Sequence, residues 1–411
     1  MNKLKTAIAF GADAVYCGIP EFSLRTRINQ FDLKILRQGI EYAHKHGKKV
    51  FVTANIVAHN RHLRAFEKYF SALKKIKPDA IIVSDPGIFL LAKKIWPKAK
   101  LHLSTQANCT NWQAAKFWYD LGVSRIILGR EVTLREIKEI HKKVSKVELE
   151  YFVHGAMCMS YSGRCLLSKY YTDRSANLGD CTQPCRWKYN VSNVGAEHYS
   201  AHLQEIQRPE ELLKIEEDQH GSYIMNSKDL CLVEYLKELK NAGISAFKIE
   251  GRAKSFYYVG NTVKVYREIM DHGTRNIKQP FEELKKTQNR GFTTGFLFGQ
   301  EKCEQNITSS HENCGWEFCG VVTTYESATN LQNATDKNQI VIKVHNKIRV
   351  GDQVEFIVPF GENFKYKIKK MFDDNMREID SAHGGQGQVI FLPLKKKLPE
   401  YTLVRRKVGK A

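Results

Sequence analysis

Four cysteines lie close together near the middle of this 411-residue chain: Cys158, Cys165, Cys181 and Cys185. Thiols at this density, in a chain without an export signal, favour a metal site over a disulfide framework. Their spacings do not match the Cys-x-x-Cys pairs of a zinc ribbon, whereas a cubane iron–sulfur cluster accepts irregular spacings. We therefore predict a metal or cluster site with Cys231 as a reserve ligand. The alternative is that two or three of these residues are ordinary buried cysteines.

Acids, bases and amides follow several short apolar segments. The candidate proton-transfer groups are His154, Asp229 and Glu250, because an imidazole or carboxylate at the end of a strand can reach a bound substrate. On sequence alone each is equally an orienting hydrogen-bonding group. The candidate substrate-binding side chains are Arg130, Arg252, Lys248 and Asn226. The alternative for the two arginines is a salt bridge to the nearby Glu131 or Glu250.

The elements that must position these residues alternate between short strands and longer helices. The predicted strands are 14–17, 49–54, 80–84, 101–104, 125–129, 149–154, 223–226 and 247–250, with helices such as 31–46, 63–76, 112–121 and 134–144 between them. About eight such units over about 250 residues favour an α/β fold of the TIM-like (β/α)₈ barrel type. No Gly-x-Gly-x-x-Gly turn follows the first strand, which disfavours a dinucleotide-binding sheet. The carboxyl ends of barrel strands carry active sites, so the polar groups are expected to meet there.

The pattern changes twice along the chain. Residues 189–220 are polar, which predicts an insertion or hairpin between barrel units. From residue 291 onward, apolar and polar residues alternate without helices, which predicts a small antiparallel β-barrel. We therefore expect a catalytic (β/α) barrel domain over 1–290 and a β-barrel domain over 291–411. The basic runs 395–397 and 405–407 could lie along a phosphate backbone or be solvated ends.

The net charge of +20 indicates a polyanionic partner, with RNA ahead of acidic proteins or a membrane surface. The alternative is a basic proteome in which many unrelated enzymes carry excess lysine. A hydrophobic fraction of 42% excludes a disordered chain. No stretch is apolar enough for a signal peptide or a membrane span, so we expect a cytoplasmic protein without a membrane partner.

Several motifs resemble one known family. The run Glu150-x-Phe152-x-x-Gly155-Ala-Met-Cys158-x₄-Gly163-x-Cys165-x-Leu167-Ser168 is similar, position for position, to the signature of the collagenase-like peptidases of uncertain catalytic type. Further matching motifs are Gly11-Ala-Asp-Ala-Val-Tyr, Ser104-Thr-Gln, Asn226-Ser-Lys-Asp-Leu and Lys248-Ile-Glu-Gly-Arg-Ala-Lys-Ser. They cover about residues 5–260. The segment 174–186 is most similar to a tRNA-hydroxylating branch of this family.

The resemblance implies a function that differs from the family's name. Members were labelled proteases, yet close relatives act in hydroxylating RNA bases or the ubiquinone ring. For this chain the resemblance implies 5-hydroxylation of the wobble uridine, with tRNA as a partner and the dicarboxylate prephenate as a possible co-substrate. It also implies a 4Fe–4S cluster held by the four clustered cysteines. Arg130 and Arg252 then become candidates for prephenate binding, because a guanidinium fork matches a carboxylate.

Two other functional classes stay open, and so does a homo-oligomer. A collagenase-like endopeptidase needs a nucleophile near a base, and Cys158 after His154 is the one tempting pair. A non-catalytic RNA-binding or cluster-carrying partner is the other class. The sequence also departs from the family pattern, in which a short strand precedes the equivalent of Leu4. Either the start is assigned too late or the first barrel strand is missing.

Overall fold

The computed structural model contains two large β-sheets, one mainly parallel and flanked by helices, the other antiparallel. It describes residues 1–24, 31–158, 160–161, 164–187, 189–193, 201–205, 208–215, 227–273, 278–299, 304, 314–323 and 339–408. The predicted strand at 223–226, and with it Asn226, lies outside the described residues. No helix in the described part of the chain is long and apolar enough to cross a membrane.

The first 156 residues alternate strands and helices. The strands are β1 (Ala14–Cys17), β2 (Lys49–Ala54), β3 (Ala80–Val83), β4 (Leu101–Leu103), β5 (Arg125–Ile127) and β6 (Glu148–Ala156), and they pair in parallel in chain order. The helices are α1 (Asn2–Ala9), α2 (Leu33–Lys45), α3 (Asn60–Ile76), α4 (Pro86–Ile95), α5 (Trp112–Asp120) and α6 (Leu134–Lys143). The predicted α/β class is confirmed.

Local sequence explains where these elements begin. Asp85 Oδ1 accepts a hydrogen bond from Ile88 N at 2.9 Å, and Pro86 takes the first helical position, so α4 starts there. All residues of β3 and β4 are buried. Strands of a parallel sheet are apolar on both faces when helices cover the outer face and side chains fill the inner one.

The chain after β6 is less regular. It contains α7 (Leu167–Thr172), a three-stranded antiparallel sheet of β7 (Tyr189–Asn193), β8 (Ala201–Glu205) and β9 (Arg208–Ile215), then β10 (Asp229–Cys231), α8 (Leu236–Asn241), β11 (Ile244–Ile249), α9 (Phe256–His272), α10 (Lys278–Lys285) and β12 (Phe292–Thr293). Strand β11 pairs with β6 in parallel, whereas β10 pairs with it antiparallel and β12 pairs with β10. The predicted boundary at 290 falls two residues before β12 and stays a prediction.

The parallel sheet is open along one seam. Strand β1 is at one end of this sheet, and β11 lies on the other side of β6; no ladder joins β1 to β11 among the described residues. A cavity of about 1550 Å³ lies along this seam and is lined by residues of both strands. At the carboxyl ends of β1 and β11, polar side chains meet across this seam.

The second sheet is antiparallel, as the alternating pattern predicts. Its strands are β13 (Trp316–Thr323), β14 (Ile340–Val344), β16 (Gln353–Ile357), β17 (Phe364–Lys367), β19 (Val389–Leu392) and β20 (Leu403–Lys407), and the short strands β15 (Ile348–Arg349) and β18 (Ser381–Ala382) pair beside it. The sheet order is β17-β16-β20-β13-β14-β19, so β17 and β19 are its edges. Its core includes Ile342, Val354, Phe356 and Val404.

Arg405, on β20, connects the antiparallel sheet to α10 and corrects one expectation. Its side chain is fully buried, with Nη1 2.6 Å from Glu283 Oε1 and Nε 2.7 Å from Glu355 Oε2. Arg406 forms ion pairs with Glu317 and Asp352. The basic run 405–407 therefore does not offer two free arginines to a phosphate backbone. A buried guanidinium needs carboxylate partners, and these two bind the β-domain to α10.

Candidate active site at the carboxyl ends of the parallel strands

Tyr16 and Glu250 lie at the carboxyl ends of β1 and β11. Tyr16 Oη donates to Glu250 Oε2 at 2.8 Å, and the backbone N–H of Arg252 donates to Glu250 Oε1 at 3.2 Å. Burial and the charge of Glu250 raise the pKa of Tyr16, so its phenol stays protonated at neutral pH. Both oxygens of Glu250 are thus oriented by donors. This carboxylate keeps lone pairs for a further hydrogen bond or a proton from a substrate.

Two arginines flank the same tyrosine. Arg252 Cζ lies 5.2 Å from the centroid of the Tyr16 ring, and its Nη1 lies 3.4 Å from Thr53 Oγ1. Its Nε is buried and has no hydrogen-bond partner among the described residues. Arg130 Cζ lies 3.9 Å from the Phe152 ring centroid. The positive charge of Arg130 lowers the pKa of Tyr16 and so partly opposes the effect of burial. The buried N–H of Arg252 is the type of donor that an anionic ligand satisfies.

Lys248 is already paired inside the sheet. Its Nζ lies 2.5 Å from Glu150 Oε1, while Arg125 Nη1 lies 3.0 Å from Glu150 Oε2. Burial lowers the pKa of Lys248, and the Glu150 charge opposes that shift. The same ammonium lies 4.1 Å from the Tyr16 ring centroid. A substrate contact by Lys248 would therefore compete with Glu150.

Asp229 is held by a buried arginine. Arg290 Nη2 and Nε lie 2.6 and 3.1 Å from Asp229 Oδ1, and the backbone N–H of Arg290 donates to Oδ2 at 3.2 Å. Burial by itself raises the pKa of Asp229, but the charges of Arg290 and Lys254 outweigh it and hold this pKa below its usual value. Asp229 is thus ionised at neutral pH. This geometry favours a charge-balancing role over proton transfer.

Tyr266, on α9, determines which nitrogen of His154 carries the proton. Tyr266 Oη donates to the carbonyl oxygen of Val153 at 2.7 Å and lies 3.3 Å from His154 Nδ1. A hydroxyl has one proton, and Tyr266 donates it to Val153, so its oxygen accepts a hydrogen bond from Nδ1–H of His154. The other ring nitrogen, Nε2, then carries no proton and has a free lone pair. That Nε2 is buried without a partner in the described part of the chain. Burial lowers the pKa of His154 to about 4, so Nε2 is an uncharged base at neutral pH.

The clustered cysteines lie beyond the end of β6. Cys158 is exposed, and Cys165, Cys181 and Cys185 are partly exposed free thiols. Cys231 lies on β10 in the core, where burial raises its pKa to about 12. This location favours Cys185 over Cys231 as the fourth ligand.

The four thiols are close enough to influence one another. Burial raises the pKa of Cys185 to about 11, and the other three clustered cysteines each add to the rise. Among the described residues, no group of three His, Cys, Asp or Glu side chains is close enough together to hold a single metal ion. A cubane cluster binds each thiolate to a different iron and so spreads its ligands further apart than one ion does. Four thiols that influence one another electrostatically supply the donor type and number that such a cluster needs.

Two polar contacts shape the loop around Cys181. The backbone N–H of Gln183 donates to Cys181 Sγ at 3.3 Å. Arg174 forms an ion pair with Asp180 through two hydrogen bonds, from Nη2 to Oδ1 at 2.6 Å and from Nε to Oδ2 at 3.0 Å. A donor aimed at sulfur stabilises the thiolate, which is the form that binds iron.

The cysteine loop borders the strand-end site. Lys254 Nζ lies 4.0 Å from Asp229 Oδ2. Burial lowers the pKa of Lys254, and the charge of Arg186, which follows Cys185 in the chain, adds to that lowering. A cluster on the four cysteines would therefore lie beside the residues at the carboxyl ends of the strands.

The structure thus brings together most of the predicted side chains and adds three that sequence reasoning did not assign. Tyr16 ends a motif shared with the family, and that motif was the available signal. Arg290 and Tyr266 lie outside every quoted motif, and no sequence signal identified them. The individual roles of the predicted residues stay predictions.

Residues 1–307 match the family model described as Peptidase family U32, and residues 315–405 match the model of its C-terminal domain. The chain belongs to peptidase family U32. The predicted family resemblance is therefore confirmed.

Relatives within this family carry different names. The chain is 37% identical over 444 residues to "tRNA hydroxylation protein P" of Haemophilus influenzae, an alignment that covers 99% of this chain and 94% of the relative. It is 36% identical over 267 residues to "23S rRNA 5-hydroxycytidine C2501 synthase" of Escherichia coli, covering 65% of this chain and 37% of that protein. It is 32% identical over 316 residues to "Collagenase" of Porphyromonas gingivalis, covering 73% and 72%.

Proposed function

We propose that this protein is an RNA-modifying enzyme that hydroxylates a pyrimidine base, and that its reaction is 5-hydroxylation of the wobble uridine of tRNA. The observation that carries this proposal is similarity along 99% of the chain to a relative named for tRNA hydroxylation. A second relative named for a hydroxycytidine product supports the same chemistry on RNA. The net charge of +20 suits a polyanionic substrate.

In this proposal Cys158, Cys165, Cys181 and Cys185 hold a 4Fe–4S cluster. Replacing C5–H of uracil by C5–OH is a two-electron oxidation that also needs an oxygen donor and a net oxidant from outside the protein, such as O₂. A bound cluster would transfer single electrons between that oxidant and the base, which protein side chains cannot do. The electrostatic influence of the other three thiols on the pKa of Cys185 supports this ligand set.

Arg252 is the proposed anchor for a small dicarboxylate such as prephenate, with Arg130 as the second cation. The support is the buried Nε of Arg252, which has no partner among the described residues. A guanidinium fork binds a carboxylate through two parallel hydrogen bonds. Tyr16 packs against Arg252 and fixes the position of that group.

A uridine flipped out of its stack would enter at the strand ends. The proposed proton-transfer groups there are His154, at its uncharged Nε2, and Glu250, whose two oxygens accept hydrogen bonds from Tyr16 and the backbone of Arg252. The ion pair of Asp229 with Arg290 stays charged and orients neighbouring dipoles. The aromatic side chains around His154 are proposed to exclude water and to position the base; they are the buried Tyr258 and Tyr266 and the partly buried Phe292.

The geometry gives less support to a peptidase. A thiol nucleophile needs a base within hydrogen-bond reach. His154 is 1% exposed with its Nδ1 bound to Tyr266, while Cys158 is exposed on the loop. No hydrogen bond joins Cys158 to His154 among the described residues. A cluster on Cys158 would also remove it as a nucleophile.

Nucleoside mass spectrometry of tRNA tests the proposal. A strain that lacks this gene should lose 5-hydroxyuridine derivatives. The wild-type gene should restore them, whereas a gene encoding Cys165→Ser should not. If the strain has no second enzyme for this modification, an unchanged nucleoside profile contradicts the proposed function.

A further inference from the structure

The turn between β16 and β17 presents an exposed aromatic ring. Phe360 is 68% exposed. It lies in the segment that connects the two strands, on the edge of the second sheet. One exposed ring is common on protein surfaces, so its meaning depends on how the turn is built.

A buried lysine of the α/β part holds this turn. Lys264 on α9 is 5% exposed, and its Nζ donates to Val358 O at 2.7 Å, Gly361 O at 2.7 Å and Asn363 Oδ1 at 2.8 Å. An ammonium has three protons, and the turn offers an acceptor for each of them. The ring of Phe360 is therefore carried by a fixed turn, at a set position relative to the strand-end site.

Lysines line the same edge. The exposed members are Lys365, Lys367, Lys369, Lys370, Lys395, Lys396 and Lys397. Lys396 Nζ lies 3.8 Å from the Phe364 ring centroid, which places the second run beside β17. Among the described residues, only Lys370 of this set forms an ion pair, with Glu378. We call Phe360 and these seven lysines the hairpin surface.

We propose that the hairpin surface binds single-stranded RNA, with a base stacked on Phe360 and phosphates held by the lysines. This inference rests on the proposed function and identifies where the RNA substrate is held outside the active site. Flat bases stack on aromatic rings, and lysines follow the backbone charge. An acidic protein would match the lysines but would leave the fixed, exposed ring without a partner.

The first test is an affinity measurement on the full-length protein. Fluorescence anisotropy with a labelled single-stranded RNA of mixed sequence reports binding. Phe360→Ala is expected to weaken binding about five-fold or more, because stacking of one base contributes at least that factor. The matched control is Phe117→Ala on α5, where the ring is 57% exposed on a helix far from the hairpin in sequence. This control should bind as the wild type does.

The second test measures the salt dependence of binding. The triple variant Lys365→Gln, Lys367→Gln and Lys396→Gln should reduce the slope of log K against log salt by about 2, since each phosphate contact on a single strand contributes about 0.7. The control replaces three exposed lysines of the α/β part, at 68, 75 and 98, by glutamine. It should keep the wild-type slope.

The outcomes separate this inference from the proposed function. If wild-type protein binds the RNA and neither hairpin variant weakens binding or changes the slope, the inference is overturned. Equal losses of RNA affinity in the hairpin variants and in their controls overturn it as well. They would indicate that the RNA binds the positive charge of the whole protein and not one surface. Wild-type protein that does not bind the RNA overturns the inference too. If the hairpin variants lose binding as expected while wild-type protein hydroxylates no tRNA, the binding surface is supported and the proposed function is contradicted.

Discussion

Asp229→Asn is expected to destabilise the protein strongly, because it removes the carboxylate that forms an ion pair with the buried Arg290. The two residues are 1% and 5% exposed; two hydrogen bonds of 2.6 and 3.1 Å join their side chains, and the backbone N–H of Arg290 donates a third at 3.2 Å. Asparagine keeps the shape of the side chain but supplies no negative charge. Removing one member of a buried ion pair costs about 3–5 kcal/mol.

Thermal unfolding measures this cost. For domains of about 150–250 residues, each kcal/mol shifts Tm by about 2–4 °C, so a loss of about 3 kcal/mol lowers Tm by about 6–12 °C. The control is Asp173→Asn, which breaks an ion pair between Lys169 and a carboxylate that is 90% exposed. Exposed pairs contribute at most about 1 kcal/mol, so the control should stay near the wild type.

Two further measurements can refute this reasoning. The double variant Asp229→Asn with Arg290→Met removes both charges and should recover at least half of the loss. The pKa of Asp229 is held below its usual value, so its contribution is present above about pH 4 and is lost as pH falls through the folded pKa. The single variant should lack this acid-side loss. A wild-type Tm in Asp229→Asn, or no recovery in the double variant, would contradict the account of a buried pair.

Three other changes test the site. Cys165→Ser should lower the iron and acid-labile sulfide content of anaerobically purified protein by more than half, whereas Cys109→Ser, in the core, should keep the wild-type content. Arg252→Lys removes the guanidinium fork and should raise the Kd for prephenate about ten-fold, as measured by calorimetry; an unchanged Kd contradicts the anchor assignment. Tyr266→Phe removes the acceptor for Nδ1–H of His154, so nitrogen–proton NMR correlations should show a shift toward the Nε2–H tautomer, and an unchanged tautomer contradicts the positioning role.

Much of the parallel sheet follows from local sequence. Strand β2 is a short apolar run between amphipathic helices, and its observed bounds equal the predicted ones. Strand β10 could not be predicted in the same way. It has three residues, begins with the charged Asp229 and pairs antiparallel with β6. Its first residue, Asp229, is paired with Arg290, which lies 61 residues further along the chain. The hydrophobic pattern around β10 gives no sign of this distant partner.

The sequence predicted which residue types occupy the candidate site, but not which of these side chains pair with one another. The short spacing between the four cysteines predicted a common site for them. The position of Glu250 at the end of a predicted strand indicated its place in the site. Whether a carboxylate transfers protons or balances a charge depends on its neighbours in space, as the pairing of Asp229 shows. The same limit applies to Arg405, which sits in a basic run of sequence yet is buried between two carboxylates. The amino-acid composition gives the net charge of the chain. The folded structure is needed to show which charged side chains are already paired.

The most direct test of the central claim is hydroxylation by the purified protein. Cluster-containing protein is incubated with tRNA from a strain that lacks this gene, with and without prephenate, and the nucleosides are analysed by mass spectrometry. The account predicts 5-hydroxyuridine or its derivatives only where both the wild-type protein and prephenate are present, and none with Cys165→Ser. Absence of the product from every sample, for protein that retains its iron and binds the tRNA, would contradict it.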